Sequence, residues 1–391
     1  MPAQHFILIG NYPPDRQESM IRFTKLLAKG LKDRGATVEI LTPQPILLGG
    51  NANPGSGVAK WLGYVDKWIL FPFSLRRVIK KRRREFGDNI HYHICDHSNA
   101  PYLAYLPKNR TGITCHDVLA IRGALGYPEA YCAASRTGVV FQRWILKHLR
   151  NADHIACVSC LTLRHLHEIA GVNIPKVGWI VVHNAFNAEF GKIERDEAVQ
   201  ILKQNRVVIP QPFLLHVGSN LPRKNRRMLL QMVKLESLPW PGHICFAGEP
   251  VDALLSEQAR ALGILDRVHS VSKPNHKSLC ALYSLAHAFV FPSFSEGFGW
   301  PLIEAQACGT PVIASNLEPL PEVSGGAVIH ANPHDVQSFA SALPALNDEV
   351  FRKSLIEKGL KNATRFSRST MIDGYLALHD LNDSSIVRVT I

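Results

Sequence analysis

The chain has 391 residues, 46% hydrophobic and 19% charged, a mix that builds sizeable cores and excludes a mostly disordered polymer. Its formal charge of +12 is uneven: residues 1–150 hold 22 basic and 10 acidic side chains, and the remainder is balanced. The first part is therefore expected to favour an anionic partner, whether nucleic acid, an anionic membrane or a phosphorylated substrate. Eight cysteines are too sparse for a disulfide scaffold, so a reducing cytoplasm is expected. With no basic leader and no apolar run of about 18 residues, neither a signal peptide nor a spanning helix is predicted.

Short apolar, β-rich runs alternate with amphipathic stretches. Predicted strands are Phe6–Gly10, Val38–Thr42, Ile90–Cys95, Ile113–His116, Ile155–Ser159 and Trp179–His183. A helix over Glu18–Arg34 is closed by Gly35. The alternation then restarts with strands Phe213–Gly218, His243–Gly248, Val268–Val271, Ala288–Pro292 and Pro311–Ser315. Helices near Asn225–Leu235, Asp252–Leu262 and Ser278–Ala286 lie between them. Two successive βαβ series predict two doubly wound α/β domains. The linker is placed from Asn184 to about Lys192. Such sheets bind ligands outside the carboxyl ends of their strands, so the site is expected in a cleft between the domains.

The most informative stretch runs from Phe291 to Ser315. A strand enters a loop with Gly297 and Gly299, Pro301 opens a helix of about two turns, and Gly309 closes it before the next strand. Glycines let backbone amides approach a ligand, and a helix N-terminus offers unpaired N–H groups to an anion. Glu296 in the loop and Glu304 on the helix then present carboxylates to one pocket from different heights.

This stretch resembles the Glu-x7-Glu signature of the retaining glycosyltransferases of the GT-B fold, family 4 (glycosyl transferases group 1). The flanking Gly-Phe-Gly, Pro-x-x-Glu-Ala and Cys-Gly-Thr-Pro-Val agree with it. Leu214-Leu-His-Val-Gly218-Ser-Asn-Leu-Pro-Arg223-Lys224-Asn resembles the family's phosphate-binding segment. Ala152–Ser159, Thr114-Cys-His116-Asp117 and Val181–Asn187 resemble further family segments, so the likeness covers most of the chain. It implies GT-B architecture, with an N-terminal domain over 1–184, a nucleotide-sugar domain over 185–366, and a C-terminal helix of about 367–391 crossing back onto the first domain.

The reaction implied is transfer of a sugar from a nucleotide diphosphate donor to a glycan, lipid-linked or small-molecule acceptor, with retention at the anomeric carbon. A departing diphosphate develops negative charge, which the protein must meet with a positive field. The resemblance assigns that role to Lys224, with Arg223 as a bidentate partner. It gives Glu304 the ribose hydroxyls, Glu296 the transferred sugar, and the amides around Phe298 and Gly299 its orientation. Glu296 as a covalent nucleophile is set against same-face attack within an ion pair; the second is preferred. Gly218 and Ser219 border the diphosphate, and Ser219 stands where many relatives have arginine, offering only a hydroxyl. His116 is expected at the donor sugar or beside the acceptor, or else bonded to backbone as a strand-end histidine. Asp117 is expected to cap the following turn. No Gly-Gly pair follows the first strand, which leaves Ser19 as the polar candidate there. Neither a metal nor another cofactor is expected, and no nucleic-acid partner.

Two motifs are discounted. Cys157-x-x-Cys160 lacks the neighbours of a redox pair. His91, His93, Cys95 and His97 alternate along one strand, too far apart for all four to share a tetrahedral ion. Two other readings are weighed: a GT-B enzyme of different chemistry such as a sugar-nucleotide epimerase, and a non-enzymatic basic module for anions or nucleic acid. Finally, residues 60–84 join an apolar patch (Trp61, Leu62, Tyr64, Val65, Trp68, Ile69, Leu70, Phe71 and Phe73) to a basic run from Arg76 to Arg84. This pattern predicts peripheral binding to an anionic membrane surface at its cytoplasmic face.

Overall fold

The computed structural model describes residues 4–49, 57–87, 89–171, 176–237 and 240–380. The chain divides into two compact units. The first holds residues up to Tyr127, Cys132–Asn187 and the stretch from Arg368; the second holds Pro128–Tyr131 and Ala188–Ser367. Part of the helix expected over 367–391 is seen as Arg368–Asp380, and residues 381–391 lie outside the described residues.

In the first unit, strands β1 (His5–Ile9), β2 (Thr37–Leu41), β3 (Ile90–Ile94), β4 (Thr111–Cys115), β5 (His154–Cys157) and β6 (Trp179–Val181) form one parallel sheet in the order β2-β1-β3-β4-β5-β6. The central strands β1, β3, β4 and β5 are buried at every position, and the edge strand β2 at none. Burial on both faces lets β1 read as an apolar run, Phe6–Ile9, whereas β3 carries His91 and His93 and β4 carries Gly112. The second unit repeats the plan with β7 (Phe213–Gly218), β8 (His243–Gly248), β9 (Val268–Ser272), β10 (Ala288–Phe291), β11 (Val312–Ser315) and β12 (Ile329–Ala331), in the order β12-β11-β10-β7-β8-β9. Every pairing in it is parallel. Both units are thus doubly wound α/β, as expected. The short β12 is additional to the expected strands.

Each sheet has one point where the winding reverses. In the first it lies between β1 and β3, in the second between β7 and β10. Crevices open at such points beyond the carboxyl ends of the strands, and these two position everything that follows.

Helix Arg368–Asp380 packs on the first unit. Thr114 and Tyr375 share a hydroxyl hydrogen bond of 2.9 Å, His93 and His379 meet ring nitrogen to ring nitrogen at 3.1 Å, and Arg34 pairs with Asp373 at 2.7 Å. Close packing is visible at Gly30, where a Cβ would fall 2.4 Å from the Ile372 side chain. Thus His91 and His93 face a helix: both rings contact His379.

Residues 57–86 correct the expectation of one continuous apolar patch. Helix Gly57–Val65 runs through a π-turn, Asp66–Leu70, into helix Phe71–Phe86. Phe71 is core, and Trp68 packs against Tyr102, Phe141 and Trp144. Tyr64 stacks on Phe141. Trp61, Ile69 and Phe73 stay exposed. An amphipathic helix on a sheet must bury one face, and this face took most of the aromatics. Asp66 fixes the turn, accepting hydrogen bonds from the Tyr12 hydroxyl at 2.8 Å and the Leu47 amide at 2.9 Å.

Candidate functional site

At the switch point of the second unit, the loop after β7 meets the loop after β10. Strand β7 ends at Gly218, and a short turn, Pro222–Lys224, follows. Asn225 ends that turn in the left-handed region at φ 49°, which asparagine tolerates better than most residues. Its amide donates to the carbonyls of Pro292 at 3.2 Å and Pro333 at 3.0 Å. One residue therefore ties the β7 loop to the loops after β10 and β12. The Arg223 carbonyl adds a bond of 2.8 Å from the Phe294 amide.

This clamping brings together Arg223, Lys224 and Glu296. Lys224 Nζ donates to Glu296 Oε1 at 2.6 Å, and Arg223 Nη1 to Oε2 at 2.9 Å and to the Ser295 carbonyl at 2.8 Å. Lys224 and Glu296 are both buried, at 7% exposure. Burial alone would raise the Glu296 carboxyl, but the charges of Lys224 and Arg223 overcome it and hold the group down to about 2. Burial lowers the Lys224 ammonium, with Glu296 opposing. Arg223 and Lys224 thus present two positive charges at one largely buried place, where they act strongly on an anion.

Glu304 lies on helix Trp300–Ala307, is equally buried, and accepts a hydrogen bond from the Tyr283 hydroxyl at 3.0 Å. Its charge is felt at Lys224, so both carboxylates of the Glu-x7-Glu stretch belong to one electrostatic cluster. Gly299 starts this helix at φ 102°, and a Cβ there would sit 2.7 Å from Leu320; glycine is required on both counts. Pro301 follows in the first turn as predicted. Phe298 is buried against Phe366. The far end of the helix is held through Gln306, which donates to the Ser324 and Ala327 carbonyls and accepts from Asn362 at 2.8 Å.

Gly218 borders the cluster, where a Cβ would lie 3.8 Å from Lys224 Cε; Ser219, next in the chain, is half-buried. Beneath them His216 is fully buried, with Nδ1 3.1 Å from the Val290 carbonyl and Nε2 unpartnered. Burial lowers its imidazole to about 3, so it is neutral beneath the charged pair. Sequence reasoning missed His216, Asn225 and Tyr283. For Asn225 there was a local signal, an asparagine directly after a Pro-Arg-Lys turn.

The remaining candidates lie in the first unit. His116 is buried at the end of β4, its Nε2 donating to the Cys95 carbonyl at 2.9 Å and its ring edge-on to Phe23. That is the backbone-bonded arrangement weighed above as its structural alternative. Burial lowers its imidazole, opposed by Asp96. Asp117 caps the next turn, accepting from the Leu119 amide at 3.0 Å. Ser19 is exposed within helix Glu18–Asp33, where Gln17 occupies the cap position. Cys157 is buried and Cys160 exposed.

Comparison with known proteins follows this division. The family model "Glycosyltransferase Family 4" matches residues 20–190, and "Glycosyl transferases group 1" matches residues 200–362. Among curated relatives, O-antigen chain mannosyltransferase B of Escherichia coli is 38% identical over 167 residues, 40% of this chain and 42% of that protein. Serotype-specific mannosyltransferase WbdA of the same organism is 29% identical, over 69% of this chain and 34% of that one. O-antigen chain mannosyltransferase RfbU of Salmonella typhimurium is 28% identical, over 71% and 69%. The chain spans about a third to two fifths of the length of the first two. Among solved structures, a glycosyltransferase from Rickettsia africae superposes with a TM-score of 0.70 at 15% identity, covering 99% of this chain and all of that one. Anabaena HepE, solved in complex with UDP and glucose, gives 0.69 at 16% identity, covering 96% and 98%. These likenesses show the GT-B fold.

Proposed function

The chain belongs to the group 1, family 4 glycosyltransferases, and from that premise we propose that it transfers a hexose from a nucleotide diphosphate sugar to a glycan or lipid-linked acceptor, with retention at the anomeric carbon. The observation that carries this reading is the cluster of buried Glu296 and Lys224 with half-buried Arg223 at the switch point of the second sheet. Without donor, Glu296 occupies both cations. A diphosphate entering the crevice competes for them, and Glu296 turns to hydroxyls of the transferred sugar. As the bond from the anomeric carbon to the diphosphate oxygen breaks, Lys224 and Arg223 stabilise the charge that develops there. Glu304, oriented by Tyr283, takes the ribose hydroxyls. Phe298 and Gly299 orient the sugar through their amides, and Gly218 and Ser219 line the diphosphate. The acceptor oxygen bonds to the same face, and its proton passes to the departing diphosphate. The two side-chain cations supply the field, so this reading assigns no metal.

The test is a panel of nucleotide sugars with product mass spectrometry and NMR of the anomeric proton. GDP-mannose comes first, because three relatives are mannosyltransferases, and UDP-glucose second. The wild type should release nucleotide diphosphate slowly without acceptor. Lys224→Ala and Glu304→Ala should not, and persistent turnover in both would overturn the assignment.

The same reading includes a peripheral membrane surface. Among the described residues no helix is long and apolar enough to cross a membrane. Val58 and Trp61 on one helix, Ile69 in the π-turn and Phe73 beyond it are exposed, and exposed Arg76, Arg77, Lys80 and Arg84 continue the row at helical spacing. Arg82 does not contribute, being held by Glu39 at 2.7 Å and Glu85 at 2.6 Å. Exposed aromatics beside exposed basic side chains fit an anionic lipid surface at about 1 kcal/mol per basic residue. Co-sedimentation with anionic vesicles should fall with salt and vanish when Arg76, Arg77, Lys80 and Arg84 become Ser. A wild type that ignores such vesicles at low salt would favour a soluble acceptor.

A further inference from the structure

A cavity of about 300 Å³ opens in the second unit. Its walls include residues that lead into two neighbouring strands, Gln211 before β7 and His287 before β10. These strands are parallel and paired, so the cavity lies at their amino ends, whereas Lys224 and Glu296 follow their carboxyl ends. The remaining walls come from segment 192–195 and from Arg352 on helix Glu349–Ala363. The walls are tied together. The His287 amide donates to the Phe213 carbonyl at 2.8 Å, the Ile193 amide to Ser284 Oγ at 3.0 Å, and Arg195 Nη2 to Gln211 Oε1 at 2.6 Å.

Positive charge gathers here without a matching carboxylate. Arg352 is half-buried; its Nη1 is shut from water and, among the described residues, has no hydrogen-bond partner. Asp348, one helical turn earlier, is used as the helix cap and accepts from the Val350 and Phe351 amides. Burial lowers the Arg352 guanidinium, and no carboxylate opposes it. His287 Nε2 is likewise shut off and unpartnered among the described residues. Burial, and after it the charge of Arg352, lowers its imidazole, so the ring is neutral at pH 7. Lys192 and Arg195 add two further cations. The carboxylate among the lining residues, Glu194, is 81% exposed and stands 3.4 Å from Lys192, a pairing that water weakens.

A charge partly removed from water without a counter-ion is costly. A bound anion offsets that cost, and a planar guanidinium matches two phosphate oxygens at once. We propose that this cavity is an anion site that binds a phosphate group, with Arg352 as its main cation and Lys192 beside it. Inorganic phosphate and a sugar phosphate offer the same chemistry, and the cavity has the size of a small-ligand site. Occupancy would join helix Glu349–Ala363 to the segment by which the chain enters the second unit. The inference is independent of the donor reading, because its residues stand at the other end of the sheet.

The experiment titrates the full chain with inorganic phosphate and with α-D-mannose 1-phosphate by calorimetry, at an ionic strength held constant with chloride. Arg223→Gln serves as the control for binding at the diphosphate cluster. Arg352→Met keeps the apolar stem and removes the charge. Phosphate Kd at this site should be unchanged in Arg223→Gln and rise about tenfold or more in Arg352→Met, the scale of a charge-assisted pair. Without phosphate Arg352→Met should melt no lower than the wild type, since it removes an uncompensated charge. Phosphate should raise the melting temperature of the wild type and not of the variant. Lys192→Met, at an exposed position, should weaken binding about threefold and gives a second measure if Arg352→Met folds poorly. Donor hydrolysis in Arg352→Met should stay within about twofold. Tighter binding of the sugar phosphate than of phosphate in Arg223→Gln identifies a phosphorylated sugar as the ligand, and equal binding identifies the free ion. Equal phosphate Kd in wild type and Arg352→Met overturns the proposal. So does binding that Arg223→Gln alone abolishes, or no binding at millimolar phosphate. Should the wild type hydrolyse no nucleotide sugar and still bind phosphate through Arg352, the donor reading fails and this site stands.

Discussion

The two sheets use the same winding to opposite chemical ends. At the switch point of the second, two cations converge on a buried carboxylate, with a further carboxylate nearby. At that of the first, a carboxylate, Asp96, accepts from the Asn11 side-chain amide and from the backbone amide and hydroxyl of Ser98, with the His97 imidazole 3.2 Å away. The fold supplies the crevice and the side chains decide what it is fit to hold. The comparison also separates local field from net charge. The basic excess lies in residues 1–150, much of it on the exposed face of helix Phe71–Phe86. The cluster of Arg223, Lys224, Glu296 and Glu304 lies in the electrically balanced part of the chain.

The sharpest way to break the comparison is to remove a cation. Lys224→Ala leaves Glu296 buried with one partner, and losing half of a buried pair costs about 3–5 kcal/mol. Urea unfolding should show that loss, and nucleotide diphosphate release should fall by about two orders of magnitude or more. Adding Glu296→Gln should restore much of the stability and none of the activity.

Acid offers the next contrast. Burial lowers His93 to about 3 and His379 well below its usual value, with His116, His148, His154 and His167 also lowered in the first unit. Above about pH 6.5 both folded and unfolded forms are neutral, and these rings contribute no pH dependence. Below it the unfolded chain takes up protons that the folded one refuses. Stability therefore falls by about 1.4 kcal/mol per pH unit for each of the fully buried His93 and His379. Glu296, held at about 2, keeps its full contribution above the usual carboxylate value and loses it progressively only as the pH falls from there towards about 2. Hydrogen exchange at pH 5 should show helix Arg368–Asp380 and the strands beneath it loosening before the Glu296 cluster. Equal loosening of both would contradict this order.

Smaller changes refine the second site. Glu304→Ala leaves the buried Tyr283 hydroxyl without its acceptor, at a cost of about 1–3 kcal/mol, and should weaken nucleotide diphosphate binding by calorimetry. Tyr283→Phe keeps the carboxylate and should cost about 1 kcal/mol with a milder loss of binding. Asn225→Gly retains the left-handed turn and loses two side-chain bonds, so about 1 kcal/mol of stability should go. Its activity should drop further than its melting temperature suggests, because the clamp sets where Arg223 and Lys224 stand.

How much of this was legible follows from the range of each interaction. The strands lie within a residue or two of where the sequence predicts them, because a buried parallel strand is an apolar run cut off by Gly, Ser or Pro. The loop and helix carrying Glu296 and Glu304 read equally well, being one contiguous stretch. β12 escaped because three residues with a histidine in the middle give no run. The π-turn at Asp66 escaped because its cause is Tyr12 and the 47–48 amides. Asn11 with Asp96, and Tyr283 with Glu304, are pairs that only the sheet order brings together. The aromatics of residues 60–73 were read as one surface, since periodicity does not reveal which face a neighbouring helix covers.

The helix Arg368–Asp380 belongs to the first unit yet follows all of the second in the chain. During synthesis the ribosome must add the 180 residues of Ala188–Ser367 before that helix can emerge, a delay of roughly 10–40 s at usual elongation rates. Through that interval the first sheet has His93 and Thr114 without the partners that later bury them. The second unit, nearly contiguous, can close around its own core as soon as it leaves the exit tunnel. The later unit in the sequence is then the earlier to mature, and the nascent first unit is where a chaperone would find its substrate.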